Sequence, residues 1–190
     1  MSTYERLEVP SNTPIDYILH CPNQDVEDVY LLLHGHSQTG KFIFDKLKDI
    51  IPTSSIILAP NAPFPLPSFS KVKNELKLGY TWYFFNTKTR EFLIDFKYSS
   101  QVLKGLLNSL NLDKKRIHII GYSQGGYLSP FVAQELEHVE KVIGVACNFR
   151  YQFLSSSPRC PLHTVHGTGD LVVDYKGALE SFNKLKEMGN

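Results

Sequence analysis

Residues 121–126 read Gly121-Tyr122-Ser123-Gln124-Gly125-Gly126. They follow the apolar run Ile117-His118-Ile119-Ile120 and precede a stretch with helical spacing. A Gly-x-Ser-x-Gly turn between a strand and a helix holds a serine on a sharp bend, with its hydroxyl exposed. Glycines on either side avoid the crowding that a Cβ would bring to such a bend. The N–H groups of the following helix point at the same spot, where negative charge would develop on an attacked carbonyl. The chemistry predicted from these six residues is nucleophilic attack by Ser123 on an acyl carbon.

A second glycine-rich loop, His34-Gly35-His36-Ser37-Gln38-Thr39-Gly40-Lys41, follows the apolar run Val29 to Leu33. Gly35 through Lys41 fits Gly-x-x-x-x-Gly-Lys, the pattern of a phosphate-cradling loop. That pattern needs Ser or Thr after the lysine, and an acidic residue closing another strand, to hold magnesium. Here position 42 is Phe42, and the strands ending at Ala59, Ile120 and Ala146 offer no acid. The other reading is an oxyanion loop, in which the backbone N–H of His36 and that of Gln124 face the serine. Each such donor lowers the barrier by roughly 2.7–4 kcal/mol. The His34 side chain is then structural.

A serine hydroxyl becomes a useful nucleophile when a histidine takes its proton and a carboxylate fixes the tautomer of that histidine. The acid candidate is Asp170, in His166-Gly167-Thr168-Gly169-Asp170 after the strand Leu162 to Val165. Asp174 competes but suits a helix N-cap better. Asp95 and Asp113 read as capping or solvent-facing residues. The seven histidines are His20, His34, His36, His118, His138, His163 and His166, and all precede Asp170. His166 closes the same strand and is expected to brace the acid loop. None of the seven reads as a persuasive base.

The elements that must position these residues alternate. Strands are predicted at Ile15 to His20, Val29 to Leu33, Ile56 to Ala59, Arg116 to Ile120, Lys141 to Ala146 and Leu162 to His166. Helices are predicted over Lys41 to Ile51, within Phe92 to Leu110, over Gln124 to Glu137 and over Asp174 to Met188. Strands alternating with helices imply a mostly parallel sheet with helices on both faces. Residues 60–79, rich in proline and lysine, show no convincing element. They read either as a surface excursion or as a flap carrying Phe64, Leu66 and Phe69 over a substrate. The aromatic run Gly79-Tyr80-Thr81-Trp82-Tyr83-Phe84-Phe85 is expected to pack, with one or two rings lining a cleft.

A chain of 190 residues with a net charge of +1 fits a single domain over 1–190 and carries no basic run of the kind a nucleic-acid binder needs. Met1 to Arg6 lack a signal-peptide pattern, and no apolar stretch is long enough to span a membrane. Cys21, Cys147 and Cys160 form neither a disulfide framework nor a metal-ligand spacing, as expected of a cytoplasmic protein. No metal or cofactor is expected.

Together these residues resemble the phospholipase/carboxylesterase family of α/β-hydrolases, which includes acyl-protein thioesterases. The resemblance rests on His34-Gly35 with Thr39-Gly40, Ala59-Pro60-Asn61-Ala62-Pro63, Trp82, Gly121 to Gly126, and His166-Gly167 with Asp170 and Val172. It implies an α/β-hydrolase sheet and a serine ester hydrolase with Ser123 as nucleophile and Asp170 as triad acid. His36 and Gln124 would be the oxyanion donors, and Phe64 and Trp82 would bind a small-molecule or lipid-like ester. The family's triad histidine lies after one further helix and strand. The chain is therefore expected to be C-terminally incomplete, with that histidine beyond residue 190. Its last strand, Leu162 to Val165, would be an open edge that favours a homodimer. The contrasting expectation is a non-catalytic binding module on the same fold.

Overall fold

The computed structural model describes residues 12–22, 26–72 and 74–189. Met1 to Arg6, read above for targeting, lie outside them. The central sheet holds six strands: β1 (Tyr17–His20), β2 (Asp28–Leu33), β3 (Ile56–Pro60), β8 (Arg116–Tyr122), β9 (Val139–Val145) and β10 (Leu162–Val165). Their order is β1-β3-β2-β8-β9-β10. β1 runs antiparallel to β3, and every other neighbouring pair is parallel. The four helices are α1 (Gly40–Leu47), α2 (Phe96–Ser109), α3 (Gln124–Glu135) and α4 (Tyr175–Glu187).

Both faces of the sheet are covered, which is why β2 reads as one continuous apolar run. On one face Val29, Leu31, Leu33, Ile117 and Ile119 pack with Phe96, Leu103 and Leu107 of α2, Leu128 and Val132 of α3, and Leu185 of α4. On the other, Leu32, Ile57 and Ile120 meet Ile43 of α1. Thr39 caps α1, Asp95 caps α2 and Asp174 caps α4, each accepting a backbone N–H with its side chain. Among the described residues, no helix is long and apolar enough to cross a membrane.

The segment expected to be irregular is instead an ordered ribbon. β4 (Phe64–Ser70) pairs antiparallel with β5 (Glu75–Thr81), from Phe64 opposite Thr81 to Ser70 opposite Glu75. Pro65 and Pro67 cannot donate to a ladder, and such residues are tolerated where a strand has an open side. That is why the sequence hid the strand. A second short hairpin joins β6 (Phe84–Asn86) and β7 (Glu91–Ile94) ahead of α2.

Candidate active site

Ser123 stands between β8 and α3 with φ 48° and ψ −115°. A serine avoids this backbone region unless its surroundings impose it. The imposition is visible in the packing. A Cβ on Gly121 would lie 2.3 Å from the carbonyl oxygen of Gly125, and one on Gly125 would lie 2.2 Å from that of Leu33. Only glycine lets α3 begin this close to β2 and β8. The Ser123 N–H donates to Val145 O at 2.8 Å, and Ser123 O accepts from Gly126 N at 2.8 Å and Tyr127 N at 3.1 Å. Its hydroxyl makes no capping bond to the helix. The N–H of Gln124 opens α3, ahead of the helix's own ladder of hydrogen bonds.

The Gln124 side chain is buried and tied to the strand end across from it. Its Oε1 accepts from Trp82 N at 3.1 Å, while Nε2 donates to Thr81 Oγ1 at 2.6 Å and to Tyr83 O at 3.1 Å. Thr81 Oγ1 in turn donates to Tyr83 O at 2.9 Å. Its hydrogen is thus spent, and His36 Nδ1, 3.3 Å away, can only donate to it. Thr81 is fully buried and joins the loops of His36 and Gln124.

The loop after β2 spends most of its N–H groups internally. Gly35 N donates to Gln38 Oε1 at 2.9 Å, and Gly40 N donates to Asn61 Oδ1 at 2.8 Å. Ser37 N, Gln38 N and Phe42 N donate to Tyr80 O, Gly35 O and Thr39 O. A phosphate cradle would need those N–H groups for its ligand. Lys41 points away, 2.5 Å from Asp45 on the exposed side of α1. The His36 N–H has no internal acceptor among the described residues. His34 is fully buried: Nδ1 donates to Gly35 O at 2.7 Å and Nε2 accepts from Ala62 N at 3.0 Å. Burial lowers its pKa to about 4. This neutral ring braces the loop, as expected.

Asp170 closes the turn after β10. Its Oδ1 accepts from Val172 N at 2.8 Å and Val173 N at 3.0 Å. The Val173 and Val172 N–H groups, in that order, hold the carboxyl below its ordinary value, with His166 adding to the effect. His166 Nε2 donates to Val173 O at 2.9 Å and lies 3.6 Å from Asp170 Oδ2, so its ring braces the acid loop. The ends of β8, β9 and β10 stand in register here: Ser123 N donates to Val145 O, and Ala146 N donates to Val165 O. Two strand spacings, about 10 Å, therefore separate the serine turn from the start of the acid loop.

Ser123, Gln124, His36 and Asp170 thus come together at the C-terminal edge of the sheet, where open α/β sheets bind ligands. Two other expectations fare differently. Trp82 is fully buried, and its Nε1 donates to His34 O at 2.8 Å. It supports the loop after β2 from inside and cannot line a cleft. Phe64 sits half-buried at the root of the β4–β5 ribbon, against Phe84 and Tyr98. Thr81, Gln38 and Asn61 were not singled out from sequence. Thr81 stood in an aromatic run read for packing and for rings lining a cleft, and Asn61 stood in the Ala59 to Pro63 motif with no role of its own.

The phospholipase/carboxylesterase family profile matches residues 16–190. No curated protein matches the chain in sequence. Among solved structures, a carboxylesterase from Mesorhizobium loti is similar at a TM-score of 0.70 and 14% identity, covering 94% of this chain and 86% of that one. Zea mays acyl-protein thioesterase 2 is similar at 0.67 and 18%, covering 92% and 85%. Esterase PE8 is similar at 0.66 and 20%, covering 93% and 84%. At these identities the structures speak for the fold, and the profile speaks for the family. The serine turn, the braced loop after β2 and the acid loop after β10 stand in one arrangement, and the chain that carries them belongs to the phospholipase/carboxylesterase family of α/β-hydrolases.

Proposed function

We propose that the protein hydrolyses esters through an acyl-enzyme formed on Ser123. The observation that supports this most is the Ser123 backbone, held at φ 48° between a strand and a helix with its hydroxyl uncommitted to the helix. Ser123 Oγ attacks the ester carbonyl carbon and gives its proton to a histidine. Asp170 fixes that histidine's tautomer and stabilises its charge. The N–H groups of His36 and Gln124 receive the oxyanion. The bond to the alcohol or thiol then breaks, and the leaving group takes the proton. Water repeats the two steps and releases the acid. Phe64 and the ribbon above it supply apolar contact to a small-molecule or lipid-like ester. Sparse cysteines, two of them buried, suit a reducing cytoplasm.

The base in this reading is a histidine that none of the described contacts places on Ser123. Three of the internal histidines are engaged elsewhere. His34 has both ring nitrogens bonded, and His166 donates to Val173 O. His118 pairs with Asp28 at 2.8 Å among the first residues of β8, away from the serine. Chemical rescue tests this. With the 190-residue chain and a p-nitrophenyl ester, added imidazole should raise turnover above the protein-free imidazole rate, and Ser123→Ala should cancel that excess rise. Full turnover without imidazole would put the base among the seven internal histidines. A rise that persists in Ser123→Ala would favour the non-catalytic binding module.

A further inference from the structure

The loop leaving β9 carries an arginine for which the chemistry above has no use. Ala146 takes a positive φ of 49° beside Ser123, and the chain then runs through Cys147 and Phe149 to Arg150. This loop is fixed. Cys147 and Phe149 are buried, and Phe149 N donates to Ser181 Oγ of α4 at 3.1 Å. Arg150 is half-buried, with its guanidinium carbon 5.1 Å from the centre of the Tyr127 ring. Tyr127 is one helical turn beyond Ser123 and donates its N–H to Ser123 O. Burial raises the pKa of the Tyr127 phenol, and Arg150 opposes that rise. Burial also raises that of Tyr83, and Arg150 opposes it there too. The guanidinium therefore lies over the Tyr127 ring, on the helix that Ser123 opens.

Among the described residues, Arg150 has no carboxylate within ion-pair distance. Asp170, on the loop after β10, is engaged by the N–H groups of Val172 and Val173 and lies 3.6 Å from His166 Nε2. A half-buried guanidinium stacked on a phenol and lacking a counter-charge is poised for an anion, and its planar fork suits a carboxylate or phosphate. We infer that Arg150, held over the Tyr127 ring, forms an anion subsite beside Ser123, and that the preferred esters carry a second, negatively charged group. Arg150 binds that group and takes no part in the bond changes at the acyl carbon. This inference rests on the reading of Ser123 as nucleophile.

The test compares p-nitrophenyl monoglutarate with p-nitrophenyl valerate, and 4-acetoxybenzoate with phenyl acetate. Each pair differs in a carboxylate, on the acyl side in the first and on the alcohol side in the second. In at least one pair, wild type should favour the acidic ester by a lower KM. Arg150→Met keeps the length and the cover over Tyr127. In it, the ratio of kcat/KM for acidic over neutral ester should fall about 10- to 100-fold, the range of a charged hydrogen bond. Arg150→Lys should restore part of the ratio, and added salt should reduce it in wild type. Ratios equal in wild type and Arg150→Met for both pairs would overturn the subsite. Calorimetry with monomethyl glutarate, carried out in the Ser123→Ala background with and without Arg150→Met, reads it without turnover. Binding that is lost in Arg150→Met supports the subsite, and absent or equal binding rejects it. A chain that binds monomethyl glutarate through Arg150 yet cleaves no ester would refute the esterase reading alone.

Discussion

Six non-glycine residues among those described carry a positive φ, and three of them sit at one edge of the sheet. Ser37 follows β2, Ser123 follows β8 and Ala146 follows β9. Such conformations cost of order 1–3 kcal/mol each and persist where the surroundings over-determine them. Here the surroundings are the glycine contacts around α3 and the hydrogen bonds that fix the loop after β2. His34 belongs to the same frame and gives it a pH signature. Its pKa is lowered from 6.5 to about 4 in the folded protein, so the unfolded chain takes up this proton first as pH falls. The His34 contribution is therefore fully present above pH 6.5 and is lost progressively down to about pH 4. The loss over that window is about 3 kcal/mol. Asp170, whose pKa lies below 3.8, loses its contribution only at lower pH, so the two effects separate. Urea unfolding at several pH values should show the His34 slope in wild type and a flatter one in His34→Gln. Equal slopes would mean that the imidazole is not held neutral.

At the scale of elements, the site depends on a clasp that joins three loops. Tyr80 N donates to Gln38 O and Tyr80 O accepts from Ser37 N, so the root of the β4–β5 ribbon is sewn to the loop after β2. Thr81 then reaches Gln124. Thr81→Val keeps the shape and removes the hydroxyl, leaving a buried amide hydrogen short of its acceptor. The expected cost is about 1–3 kcal/mol of stability. Ester turnover should fall, and Thr81→Ser should restore both quantities. Unchanged turnover in a folded Thr81→Val would show that the clasp does not position the oxyanion donors. This clasp was illegible in the sequence because its members lie 45 and 43 residues apart and only the fold joins them. The core strands were legible because burial on two faces leaves a continuous apolar run, as in Val29 to Leu33. The β4–β5 ribbon was hidden by its prolines. The serine turn was legible because its six residues are contiguous and Gly121 is forced by its neighbour Gly125, whereas the contacts of Gly125 with Leu33 and of Gly126 with Cys147 come only with the fold. Trp82 was misread because a residue type does not say which side of a loop it supports.

For the whole molecule, β10 ends the described sheet. Pro161 O accepts from Val142 N of β9 and Val165 O from Ala146 N just after it, so the N–H of Thr164 faces the open side. Val165 is 58% exposed beside it. An uncovered edge pairs with another edge, and two copies of this one can meet around a two-fold axis. The 190-residue chain should therefore self-associate with rising concentration in sedimentation velocity. Thr164→Pro removes the outward donor without touching the β9 ladder and should shift the protein toward monomer. A wild-type chain that stays monomeric as concentration rises would mean that the edge is already protected.

The central claim is that Ser123 is the residue that carries the acyl group. Its most direct test is covalent capture by a serine-directed fluorophosphonate, read by intact mass and by sequencing of the modified peptide, with imidazole present to supply the base. The account predicts a single adduct, on Ser123, and none in a folded Ser123→Ala protein. An adduct on any other residue, or one that persists in Ser123→Ala, would contradict it.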